Sequence, residues 1–129
     1  MIKFIYCITK HKDLSDEEFH DYWREKHGTF IRRIAKTLNA TKYIQSHTID
    51  TPMNAEIAKG RGLETPAYDG VTEIWWNSMD DFLGAVSSPE GIEAAQKYVA
   101  DEANFIDFSK SRAFLTEEFT VFDVSAETV

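Results

Sequence analysis

The stretch Phe19-His20-Asp21-Tyr22-Trp23-Arg24-Glu25-Lys26-His27-Gly28 holds the densest set of side chains able to do chemistry in this chain. On a helix turning about 100° per residue, Phe19, Trp23, Phe30, Ile34 and Leu38 form one apolar stripe. His27 falls inside that stripe, about 80° from Phe19. An imidazole there has two uses. It can be a core histidine bonded to a backbone carbonyl, since an unpaired polar group in a core costs about 1–3 kcal/mol. It can instead line a cleft between helix and sheet and exchange protons with a ligand near neutral pH.

Other residues fit the second use. His47 is a second proton carrier, and the hydroxyls of Tyr6, Tyr43 and Tyr68 are donors for an oxyanion. Trp23, Trp75 and Trp76 offer faces against which a flat ring stacks. Trp75 and Trp76 are adjacent, so on a strand they point to opposite sides, and one of them belongs to a core or an interface. Asp101 and Glu102 fall near a predicted helix C-terminus, where the helix dipole disfavours anions. Such acids are either solvated or held by a partner such as Arg112, Lys110 or a histidine. A carboxylate bonded to an imidazole would fix its tautomer.

Alternative chemistries lack their residues. His11, His20, His27 and His47 are scattered; His20 and His27 share a helix side but lie about 10 Å apart, too far for one metal ion. No glycine-rich loop runs from a strand into a helix, and no Gly-x-Ser-x-Gly elbow is present. Cys7 has no evident base and reads as a core thiol. We therefore expect no metal and no cofactor.

The elements that must position these groups follow from local patterns. Ile2 to Thr9 is apolar and rich in β-formers, a first strand. Ser15 and Glu18 make a capping box and Leu14 staples onto Phe19, so a helix runs from Ser15 to about Leu38, with a weak point at Gly28 and a stop at Asn39. Thr41 to Asp50 is a second strand with Tyr43, Gln45, His47 and Ile49 on one face. Residues 51–69, punctuated by Pro52, Gly60, Gly62 and Pro66, read as a long loop able to cover a cleft, with Met53 and Tyr68 reaching a ligand. Gly70 to Asn77 is a third strand. Ser78 and Ser88-Pro89 each start a helix, the second burying Ile92, Ala95 and Val99. Ala113 to Phe122 is the last strand, and residues 123–129 a loose tail.

This order is β-α-β-β-α-β, the ferredoxin-like α+β plan, with an antiparallel sheet and helices on one face. Phe4, Tyr6 and Ile8 oppose Ile5 and Cys7 on the first strand; Val71 and Trp75 oppose Ile74 and Trp76 on the third. A sheet apolar on both sides with helices for one side predicts a second sheet from an identical copy, hence a homodimer.

The whole chain sets outer bounds. Its 129 residues make one domain, over residues 1–122. Lys and Arg number 14 against 22 Asp and Glu, a net charge of −8 that disfavours nucleic acid and anionic membranes as partners. The apolar run from Phe4 to Ile8 is too short for a secretion leader or a membrane span, and a single cysteine suits a reducing compartment. The expectation is a soluble cytoplasmic protein.

With the strands placed, the segment 19–28 resembles the signature of the EthD-like family of the dimeric α+β barrel group: an aromatic, then Tyr-Trp, then His-Gly, matched by Phe19, Tyr22, Trp23, His27 and Gly28. Tyr43-Ile44-Gln45-Ser46-His47 and Asp101-Glu102-Ala103-Asn104-Phe105-Ile106-Asp107 are similar to two further family segments. Thr29 departs from the proline that commonly follows His-Gly. The resemblance implies a homodimer with a ligand cleft between sheet and helices in each subunit. It implies a cofactor-free lyase, a dehydratase or cyclase acting on a hydroxylated, ketonic or aromatic polyketide-like molecule. His27 and His47 would move protons; Tyr6, Tyr22, Trp23, Tyr43, Tyr68, Trp75 and Asp101 would contact substrate. The group also contains cofactor-independent oxygenases and haem-binding proteins, and relatives encoded beside oxidation systems, so an oxygenase and a non-catalytic carrier stay open.

Overall fold

The computed structural model describes residues 1–127. Strand β1 (Ile2–Ile8) is followed by a helical run in four pieces: α1 (Asp16–Asp21), a π-helical turn (Tyr22–His27), α2 (Gly28–Arg33) and α3 (Ala35–Leu38). Then come β2 (Lys42–His47), α4 (Met53–Arg61), β3 (Gly70–Trp76), α5 (Met79–Ser87), α6 (Pro89–Glu102) and β4 (Arg112–Glu117). The four strands form one antiparallel sheet in the order β2-β3-β1-β4. This is the ferredoxin-like plan, with α4 added between the second and third strands.

Helix starts follow their caps. The Ser15 hydroxyl accepts from the Glu18 N–H while the Glu18 carboxylate accepts from the Ser15 N–H. Ser78 and Ser88 cap α5 and α6 in the same sense, and Pro89 opens α6. Asn39 stops the first run in the left-handed region, at φ 54°.

The first helix is not the continuous rod that the spacing predicts. Its buried residues are Phe19, Trp23, His27 and Ile31, a repeat of four. On a regular α-helix a four-residue step overshoots one turn by about 40°, so the stripe would drift around the axis. The wider i→i+5 turn at Tyr22–His27 takes up that drift. It moves the apolar stripe one position along, and Ile31 is buried where Phe30 was expected.

Three further expectations are corrected. Residues 51–69 are not an open loop: Ala55, Glu56, Ile57, Ala58 and Lys59 are helix formers, Pro52 stands where a helix tolerates proline, and α4 results. Helix α6 buries Gly91, Ala94 and Glu102, one position round from the predicted face, leaving Ile92 and Val99 about half exposed. The last strand ends at Glu117, and Phe119, Val121 and Phe122 stand in solvent, with no strand among the described residues paired to them. Within the tail, Val124–Glu127 is a 3₁₀ turn; residues 128 and 129 lie outside the described residues.

Register assigns each side chain to a sheet face. Ile2, Phe4, Tyr6 and Ile8 share the helix-covered face with Tyr43, Gln45, His47, Thr72, Ile74 and Trp76. The opposite face carries Ile5, Cys7, Ile44, Val71, Trp75 and Phe114, together with Lys42, Ser46, Arg112, Thr116 and an ion pair of Lys3 with Glu73 at 2.6 Å. No described element covers that second face. No helix is long and apolar enough to cross a membrane, among the described residues.

Candidate active site

The π turn aims His27 at the C-terminal end of α6. Its ring is 1% exposed and its Nδ1 lies 2.6 Å from Asp101 Oδ2. A carboxylate only accepts, so the proton sits on Nδ1 and Nε2 keeps its lone pair in the neutral ring. The Tyr22 hydroxyl donates to the other Asp101 oxygen at 2.7 Å, and the Asn104 amide donates to Tyr22 at 3.0 Å. Both carboxylate oxygens are thus held, and the pair sits against Phe105 and the edge of Tyr98, whose ring centroids are 4.9 and 5.0 Å from the imidazole. Burial lowers the His27 pKa and outweighs the upward pull of Asp101.

One residue further along α6, Glu102 turns inward. It is 4% exposed, and loss of solvation, reinforced by the Asp101 charge, raises its carboxyl pKa to about 8. The Tyr6 hydroxyl points at its Oε1 across 3.4 Å, a long bond. Beside it the Tyr98 and Tyr43 hydroxyls are bonded at 3.0 Å. Burial pushes all three phenols well above their ordinary value, so they are donors and not bases.

Tyr6, Tyr98 and Glu102 line a cleft of about 340 Å³ between the sheet and helices α5 and α6, with Tyr43 behind Tyr98. Phe4, Tyr6, Ile74, Trp76 and Ala113 form its sheet wall; Phe82, Val86, Ala95, Tyr98, Val99 and Glu102 form its helix wall, with Leu38 at one end. The lining is apolar except at Tyr6, Tyr98 and Glu102. With this lining the cleft buries apolar surface and leaves three polar groups to orient whatever enters. No histidine, cysteine or methionine lines it, so it offers haem no nitrogen or sulfur axial ligand.

The structure brings together Tyr6, Tyr22, His27, Tyr43 and Asp101 from the predicted set. Of these, Tyr6 is the one that lines the cleft. His27 packs behind Tyr98 and does not line the cleft, because the π turn directs it to Asp101. His47 stands in a separate cluster: its Nδ1 is 2.7 Å from that of His20, its Nε2 is 2.9 Å from Gln45 Oε1, and its ring lies 4.2 Å from Trp23. Trp23 is fully buried under β3 and walls the core, not the cleft; its indole N–H has no partner among the described residues. Trp75 faces the opposite side of the sheet, where its indole donates to Glu118 at 2.6 Å and Lys3 and Lys42 lie over its ring. Its neighbour Trp76 is the one in the cleft. Tyr68 and Met53 do not line the cleft: α4 contributes Asn54 and Ala55 to a separate pocket beside His20, and the Tyr68 carbonyl accepts from Thr48.

Sequence reasoning passed over Tyr98 and left Glu102 without a role. The signal was present: Gly91, Ala94, Tyr98 and Glu102 keep a helical repeat of three to four, which sets the phenol and the acid on the same inward side of α6 as two small buried residues.

No curated protein matches the sequence. Solved structures do. An EthD family protein from Bacillus halodurans superposes with a TM-score of 0.60 at 14% identity, covering 92% of this chain and 99% of its own. A dimeric ferredoxin-like protein from Bacteroides fragilis gives 0.56 at 13%, covering 91% and 95%. SnoaB of Streptomyces nogalater, a cofactor-independent oxygenase, gives 0.52 at 16%, covering 95% and 97%. At such identities these likenesses establish the fold. The EthD domain family matches residues 11–109, a span holding His27, Tyr98, Asp101 and Glu102, and the chain belongs to that family.

Proposed function

We propose that this protein is a cofactor-free lyase of the dehydratase or cyclase kind, acting on a neutral β-hydroxyketone or related polyketide-like ring precursor. The observation that carries the reading is Glu102, a carboxyl buried at the floor of an apolar cleft with two phenol hydroxyls beside it. A pKa of about 8 lets one group serve as base and acid in turn near neutral pH.

The ionised Glu102 takes a proton from the carbon next to the substrate carbonyl. The electron pair moves onto the carbonyl oxygen, where Tyr6 and Tyr98 donate to the enolate. The enolate then expels the β-hydroxyl group, which takes the same proton from Glu102 and leaves as water. A carbon–carbon double bond forms, nothing is oxidised, and Glu102 is restored. If the enolate carbon attacks a second carbonyl in the substrate, protonation of the new alkoxide by Glu102 gives the cyclase variant. His27 and Asp101 act through α6 as positioning residues, fixing the turn that carries Tyr98 and Glu102.

The working species is a homodimer in this reading. The uncovered sheet face presents Ile5, Cys7, Ile44, Val71, Trp75 and Phe114 among polar side chains, and the similar protein from Bacteroides fragilis is dimeric. A second reading, a cofactor-independent oxygenase, draws on the likeness to SnoaB: the same enolate would react with molecular oxygen. A third, a carrier, needs only the cleft.

The test is to incubate the protein with a panel of cyclic β-hydroxyketones, following mass and dissolved oxygen. Loss of one water without oxygen uptake, abolished in Glu102→Gln, is the expected result. Oxygen uptake would transfer the protein to the second reading, and saturable binding with unchanged ligand to the third.

A further inference from the structure

A π turn leaves its backbone carbonyls aimed differently from those of an α-helix, and one here has a side chain brought to it. The Trp23 carbonyl accepts from the Gly28 N–H and also from the Gln45 amide at 2.8 Å. A carbonyl only accepts, so Gln45 presents its nitrogen to Trp23 and its oxygen to His47. His47 Nε2, at 2.9 Å from that oxygen, therefore carries a proton. In the neutral ring its Nδ1 then has a lone pair, and the proton in the 2.7 Å contact belongs to His20 Nδ1. The bonds run one way, from His20 through His47 and Gln45 to the π turn.

We propose that Gln45 and His47 are positioning residues for His27: they hold the Trp23 carbonyl and so fix the π turn that aims His27 at Asp101. The geometry supports this on two sides. His27 ends the turn that Trp23 nearly begins, four residues on, so any relaxation toward α-helix between them rotates the imidazole. The Trp23 ring also lies against His47, so Trp23 is held through its ring by His47 and through its carbonyl by Gln45. A second proton on His47 would set two N–H groups head to head across 2.7 Å. Burial and the nearby His20 and Arg24 accordingly hold His47 neutral, with a pKa of about 4. Asp16, Asp50 and Asp69, which line the pocket beside His20, are the acidic groups on that side. The inference borrows from the proposed function only the use of the His27–Asp101 pair, and its test needs no substrate.

The readout is the His27 Nδ1 proton, which a 2.6 Å bond to a carboxylate shifts far downfield in the NMR spectrum. At neutral pH the wild type should show this resonance, and Gln45→Leu and His47→Leu should lose or broaden it. His47→Gln, whose amide reaches the Nε2 position, should restore it. Val71→Ala, on the opposite face of β3, serves as a control of similar destabilisation and should leave the resonance in place. An unchanged resonance in Gln45→Leu and His47→Leu, or an equal loss in Val71→Ala, overturns the proposal while leaving the Glu102 reading to its own assay. Should Gln45→Leu fail to fold, the two His47 variants decide.

Discussion

The ring of Trp23 occupies the space that a side chain on Gly70 would need. A Cβ built on Gly70 would lie 2.3 Å from Trp23 Cζ3 and 2.5 Å from Cη2, and the Ser46 carbonyl closes the other side at 3.0 Å. Strand β3 can therefore pass under the first helix only through a glycine. Gly70→Ala should cost at least about 1–3 kcal/mol, the usual penalty for overpacking a filled core. Urea unfolding measures it, and a shift below about 0.5 kcal/mol would show that the helix can lift at little cost.

Glu102→Gln separates chemistry from stability. Turnover should fall about 10²–10⁴-fold if Glu102 moves the proton. The folded protein holds the Glu102 proton up to about pH 8, whereas an unfolded chain loses it near the ordinary 4.5. Its protonation thus favours folding less and less as pH rises from 4.5, and above 8 its burial as an anion costs on the order of a few kcal/mol. Glu102→Gln should melt higher than wild type at pH 9 and equal it near pH 5. Equal melting at both would place Glu102 in contact with solvent.

His47 acts on the opposite limb. Its folded pKa of about 4 lies below the ordinary 6.5, so an unfolded chain takes the proton first as pH falls. Stability from the neutral ring is present above 6.5 and is lost as pH drops toward 4. His47→Gln should flatten the stability curve between pH 6.5 and 4 without changing it above 7. An unaltered acid limb would assign the loss to other groups.

His27→Asn keeps most of the volume but shortens the reach to Asp101. We expect a loss of about 1–3 kcal/mol for a broken buried hydrogen bond to a charged group. The fall in turnover should be smaller than for Glu102→Gln, because His27 does not face the cleft. A larger fall in the histidine variant would return the proton work to His27.

Light scattering should give about 30 kDa, twice the 14.8 kDa chain. Ile5→Arg or Val71→Arg, on the uncovered sheet face, should break the assembly. A wild-type protein that stays folded as a monomer would remove the need for a second sheet.

How much of this was legible in the sequence depended on how far each pattern had to reach. Serine caps, the Asn39 stop and period-two strands act over a few residues, and they gave the sheet, its faces and most helix starts. The acid at 101 was readable as a partner-seeking group, and a histidine was among its predicted partners. The π turn was not readable, because a 3.6-residue repeat was imposed on a stretch whose buried positions repeat every four. The predicted and the buried faces of α6 differ by one residue because Ile92 and Val99 outweighed the small residues Gly91 and Ala94, which pack inside, while Ala95 and Val99 line the cleft. His27 lay inside the right stripe, yet its direction required Asp101, 74 residues away.

That separation carries a consequence for how the chain reaches its native state. The first turn at Ser15 closes on itself, but the π turn lacks its Gln45 donor until β2 has joined the sheet, and His27 lacks Asp101 until α6 has docked. Loop closure must precede both contacts. The amphipathic first half of the helix can thus form early, while the imidazole is oriented only in the final steps of assembly. Folding intermediates should accordingly show native helix content before His27 acquires its proton partner.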